Sequence, residues 1–173
     1  MKRKMRHLAF KNTKQGVIDL PMRLLIVMVI LGITIPIIIG GFMYFTRVQK
    51  ENLLDSRINE LKMQIIQVYR GGENTDIRID MEFPGETDYI HVGGDLTGSY
   101  EKYRIEYKIF STIRSYAVLD GAKNIPMCSD TGKTFEMGGG KIALSLKKLA
   151  YPGDIDGDGS SPDYYVQIKV LPV

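Results

Sequence analysis

Residues 24–45 read LLIVMVILGITIPIIIGGFMYF. The run carries no charge, and its 22 residues would extend about 33 Å as a helix, enough to cross a hydrocarbon core. A core helix of a soluble domain is the rival reading, but so long an uncharged run seldom fits inside a chain of 173 residues. Thr34 can bond back to its own helix, and Pro36 is tolerated in a span at the expense of a kink. Tyr44, Thr46 and Arg47 mark one interface. This bar divides everything else in the chain.

The net charge of +3 and pI of about 8.9 conceal a polarity. Residues 1–23 hold seven Lys or Arg and one acid, Asp19, for a net +6, while residues 46–173 carry a net −3. Basic residues stay on the cytoplasmic side of a span, so the acidic body should lie outside the cell membrane. The charge balance then gives no reason to expect a nucleic-acid partner. One cysteine, Cys128, excludes an internal disulfide and a four-thiolate zinc site. An ordinary cleaved secretory signal would have a shorter apolar region and small residues at the cut; here the run ends in Met43-Tyr44-Phe45.

The junction ahead of the span reads KQGVIDLPMR over residues 14–23. A short basic leader ends in Gly16, an acid follows at Asp19, and the apolar run begins. This arrangement resembles the class III signal peptide of type IV pilins and archaellins, most nearly the archaeal pilin-like proteins. Bacterial pilins carry Glu at the fifth residue after the cut, where this chain has Pro21. The resemblance implies a prepilin peptidase cutting between Gly16 and Val17, with the retained helix joining other pilin-like subunits in the core of a cell-surface filament. Asp19 has two compatible readings. It caps the helix that Pro21 enters, or it pairs with the new α-amino group at Val17 during assembly.

Beyond the span, residues 47–70 contain no Gly or Pro. Leu54, Ile58, Leu61, Ile65 and Val68 form an apolar helical stripe. The stripe predicts packing against a sheet in preference to a coiled coil, for which it is short. Gly71-Gly72 ends the helix, and the period then becomes two. Ile77 to Phe83 predicts a strand, Pro84-Gly85-Glu86 a turn, and Asp88 to Val92 its hairpin partner. Ile105, Tyr107 and Ile109 alternate with Arg104, Glu106 and Lys108. Weaker strands are expected at 115–119, 134–137 and 141–147, with a last one around Val166 and Ile168. The expected class is α+β: a long N-terminal helix followed by an antiparallel β-sheet or small β-sandwich with one polar face in solvent. Its parts are a basic leader (1–16), a membrane or filament-core helix (17–46), an amphipathic helix (47–70) and an extracytoplasmic β domain (73–173).

Catalytic signatures are absent from the sequence: there is no Walker loop, G-x-S-x-G elbow or H-E-x-x-H pattern. His7 lies in the leader, and His91 reads as a structural histidine in a strand. The expectation is therefore a non-enzyme. One segment, GDIDGDGSSPD over 153–163, has the spacing of a calcium loop. Asp154, Asp156 and Asp158 would be the first ligands, the Ser160 carbonyl the next and Asp163 a late carboxylate, while Tyr165 stands where an EF-hand has its closing Glu. The alternative is an Asp/Gly-rich turn between strands. Two functions follow as expectations: a pilin-like subunit, minor pilin or pseudopilin, or a monomeric single-pass surface protein whose β domain binds a ligand or calcium.

Overall fold

The computed structural model describes residues 14–98, 100–159 and 163–172, and for residues 14–20 the backbone alone. The architecture is α+β. Helix α1 spans Lys14–Arg70, and among the described residues ten strands follow it. The chain divides into two compact units, Met1–Arg47 and Val48–Val173, with the boundary inside α1.

In the first unit, α1 runs through both Pro21 and Pro36. The large apolar side chains from Met22 to Phe45 are each 49–71% exposed. A helix that is apolar on every side has no water-facing stripe, which suits lipid or other helices. Thr34 Oγ1 donates to the Ile30 carbonyl at 2.7 Å and Thr46 Oγ1 to the Phe42 carbonyl at 2.9 Å, so neither hydroxyl is left without a partner in an apolar setting. Among the described residues, α1 is the one helix long and apolar enough to cross a membrane.

The second unit begins with the amphipathic part of α1. Leu54, Ile58, Leu61, Ile65 and Val68 are all at 0–1% exposure. They share one core with both sheets, as the stripe predicts. Full burial of one such side chain contributes about 1.5–3 kcal/mol. The first sheet has the order β1 (Asp76–Phe83), β9 (Gly140–Tyr151), β10 (Asp163–Leu171), β7 (Met127–Ser129). The second has β4 (Thr112–Ala117), β3 (Arg104–Ile109), β2 (Thr87–Val92), β8 (Phe135–Met137). β5 (Leu119–Asp120) and β6 (Lys123–Asn124) make a small separate pair. All pairings are antiparallel except that of β10 with β7.

The expected hairpin of Ile77–Phe83 with Asp88–Val92 does not form. β1 pairs with β9, and β2 pairs with β3 and β8 in the other sheet. The Pro84-Gly85-Glu86 turn carries the chain from one sheet to the other. The connection from β8 to β9 crosses between the same sheets at the same corner, where Gly139 N donates to the Thr87 carbonyl at 3.3 Å. A Cβ on Gly139 would lie 2.2 Å from the Pro84 oxygen, so only glycine lets the two crossings touch. The expectation of one solvent face also fails locally. Around β7 and β10, Leu96, Cys128 and Ile155 form a second buried cluster, with Tyr151 and Tyr165 packed on it.

Polar contacts fix the amphipathic helix on the sheets. Asp55 receives hydrogen bonds from the Tyr107 hydroxyl and the Arg114 guanidinium. At the helix end, Lys148 of β9 donates from Nζ to the carbonyls of Tyr69 at 2.7 Å and Gly71 at 2.9 Å. This supplies donors and positive charge where a helix leaves carbonyls unpaired. Gly71 is not a left-handed cap. Its place is set by Thr75, whose Oγ1 would lie 2.5 Å from a Cβ there.

Candidate functional site

The Asp/Gly-rich segment is the loop joining β9 to β10. Asp163 is the first residue of β10 and pairs across to Tyr151, the last of β9. The chain between them has no regular structure among its described residues, and its aspartates substitute for a backbone ladder. Asp154 accepts from Gly157 N at 2.5 Å through Oδ1 and from Gly159 N at 2.8 Å through Oδ2. Asp156 Oδ1 accepts from Asp158 N at 3.1 Å. Asp163 Oδ2 accepts from Ile155 N at 2.5 Å and from Asp156 N at 3.4 Å. Gly157 and Gly159 both sit at φ +80°, a left-handed conformation that suits glycine.

The loop brings together three of the five residues expected to hold calcium. Carboxylate oxygens of Asp154, Asp156 and Asp163 lie within 4.8 Å of one another. Asp163 is only 5% exposed. Asp158 stands at the rim, half-exposed, and Ser160 lies outside the described residues. The positive charge nearest these acids comes from the chain itself. Lys123 Nζ, on the β5–β6 pair, is 3.2 Å from Asp156 Oδ2 and 3.9 Å from Asp158 Oδ2. The hydrogen bond to Asp156 holds the Lys123 ammonium in its charged form and raises its pKa.

A second lysine secures the apolar side of the loop. Lys102, 9% exposed, donates to the Ile155 carbonyl at 2.8 Å and to the Leu96 carbonyl at 3.2 Å. The Tyr103 hydroxyl is 3.4 Å from the same Ile155 oxygen. Burial and the nearby Asp156 and Asp163 charges raise the Tyr103 pKa, keeping the phenol a donor. Neither lysine was legible as part of this site, because each is brought to the loop only by tertiary packing. Chemically the arrangement is a braced loop with a concentrated negative face, part of which is neutralised by Lys123. A divalent cation bound by Asp154, Asp156 and Asp163 would have to displace that ammonium from Asp156.

The remaining expected sites are distributed elsewhere. Gly16, Val17 and Asp19 fall in the first turns of α1, and their side chains lie outside the described residues. His7 is outside them altogether. Cys128 is buried in the second apolar cluster, and burial pushes its thiol up to about 11, which disfavours the thiolate a nucleophile needs. His91 stacks on Tyr89 with ring centroids 4.4 Å apart and lies 3.5 Å from Glu136. No family model, curated protein or solved structure matches this chain.

Proposed function

We propose that the chain is a pilin-like subunit, a minor pilin or pseudopilin of a cell-surface filament. Its N-terminus would be cytoplasmic and its β domain extracytoplasmic. One observation carries the reading: α1 leaves its apolar side chains from Met22 to Phe45 uncovered and buries its later stripe in its own β core. A segment of the first kind requires a bilayer or a bundle of similar helices. The basic leader ending at Gly16 supports the bundle, because removal of residues 1–16 leaves that helix at the new N-terminus. No group in the chain is assigned a catalytic role. The test is the N-terminus of the protein isolated from cells expressing a prepilin peptidase. A start at Val17 supports the proposal. An intact Met1 overturns it and leaves a single-pass anchored monomer.

Calcium belongs to this proposal as a structural ion of the β9–β10 loop, exchanging for Lys123 at Asp156. Calorimetry of the full chain with millimolar calcium tests it. Heat that is lost in Asp156→Ala supports ligation, and absence of heat from the parent ends it.

A further inference from the structure

Across the outer face of the second sheet, strand register places four polar side chains in one row: Ser115 of β4, Glu106 of β3, His91 of β2 and Glu136 of β8. The row is locked, because slipping any strand by one residue would turn its core side chains outward. Beside it, Gly93 N donates to the Arg104 carbonyl at 2.9 Å. Gly93, at φ +65°, sets its bare Cα against the Met127 backbone, and the sheet face beside it carries a cavity of about 450 Å³. That falls within the 300–1,000 Å³ typical of small-molecule sites, roughly. Tyr100 is one of its lining residues. Its ring lies 5.6 Å from the Arg104 guanidinium and remains 66% exposed.

We propose that this cavity binds a neutral saccharide. Hydroxyl groups both donate and accept, and the cavity alternates the two capacities along its row. Ser115 offers a hydroxyl, Glu106 and Glu136 accept, and His91 and Arg104 donate. The row is also fixed in advance: the Tyr89 hydroxyl donates to Glu106 at 3.0 Å, and His91 sits between the Tyr89 ring and Glu136. Such polar groups orient a ligand at little ordering cost. The Tyr100 ring supplies an apolar face for the C–H side of a pyranose. Three carboxylates, those of Glu101, Glu106 and Glu136, against one guanidinium make an anionic ligand unfavourable. At the open face of Tyr100 an organic cation would meet the like charge of Arg104, 5.6 Å from that ring, which a neutral sugar does not. The inference depends on the β domain alone and holds for a filament subunit or an anchored monomer.

Saturation-transfer NMR on the full chain in lipid nanodiscs tests it, with methyl mannoside, galactose, N-acetylglucosamine, lactose and chitobiose as probes. The expected result is a saturable signal from at least one of them. In Tyr100→Ala and Glu106→Gln its Kd should weaken by about tenfold or more, as expected for loss of a stacking face or a charged hydrogen-bond acceptor. Glu82→Gln, on β1, should leave it unchanged. If Tyr100→Ala loses its thermal transition, the exposed Glu136→Gln serves in its place. Silence from every probe at tens of millimolar overturns the proposal. So does wild-type affinity in a folded Tyr100→Ala, or saturable binding of spermidine with the sugars silent.

Discussion

The two parts of α1 differ in apolar content and have opposite surroundings. From Met22 to Phe45 the large apolar side chains are half-exposed or more, whereas Leu54, Ile58, Leu61, Ile65 and Val68 reach 0–1%. Pattern contributes to the difference together with amount. The first part is apolar on every side and can be covered only by something outside its own fold. The second gathers Leu54, Ile58, Leu61, Ile65 and Val68 into one stripe, which the β domain covers, leaves Leu53 and Met63 exposed, and keeps Arg57 and Glu60 paired at 2.8 Å. One helix therefore has two kinds of surface, and its stability should respond to substitution in two different ways.

The strongest attack on that contrast is a matched pair of truncations. Leu61→Ala should cost about 2–5 kcal/mol of unfolding free energy, through lost burial and the cavity left behind. Leu31→Ala, in the exposed run, should stay within about 0.5 kcal/mol for unfolding of the β domain in detergent. Equal costs in chemical denaturation would show that the two parts do not differ as described. A narrower test removes the polar clasp. Asp55→Ala leaves the Tyr107 hydroxyl and Arg114 guanidinium without their acceptor and should cost about 1.5–3 kcal/mol, the range for hydrogen bonds to a charged group. Asp55→Asn should recover part of this by keeping one acceptor oxygen.

The smallest effect sharpens the ends of the buried part. Lys50 pairs with Glu86 near its start, and Arg70 pairs with Asp120 at 2.6 Å at its finish. Hydrogen bonds from these cations hold both carboxyls below their ordinary range. Because the folded pKa is the lower one, each pair stabilises the fold above the unfolded pKa near 4, roughly, and that contribution disappears as pH falls through the folded value. Both pairs are exposed, so the change should be small and should flatten in high salt. A melting-temperature profile of Glu86→Gln/Asp120→Asn against the parent should converge at acid pH and separate slightly at neutral pH. A separation that survives molar salt would mean the pairs are more buried than their exposure indicates.

Local periodicity made much of this architecture readable. The stripe on α1 and the alternation of Ile105, Tyr107 and Ile109 with charged residues each fix which side of an element is covered, and the burial follows them. Partner choice was not readable. Pro84-Gly85-Glu86 has the composition of a hairpin turn, yet nothing local distinguishes a turn within a sheet from a crossing between sheets. Met127–Ser129 is too short to show a period, and its parallel partner in β10 is distant in the chain. At the Asp/Gly loop, spacing identified the carboxylates but not their counter-charge, since Lys123 and Lys102 arrive from other segments.

The corner where both crossings meet also dictates an order of events. β1 follows directly on the helix but its ladder runs Asp76 to Lys147 through Phe83 to Gly140, so a strand made early has no partner until one of the last is made. All of the second sheet lies between them in the chain. Contacts of such long sequence separation slow folding, because a large loop must close before they form. A chain synthesised N-terminus first would hold β1 unpaired until Gly140 has been made. The second sheet, with all its strands complete by Met137, can assemble first and receive the other afterwards.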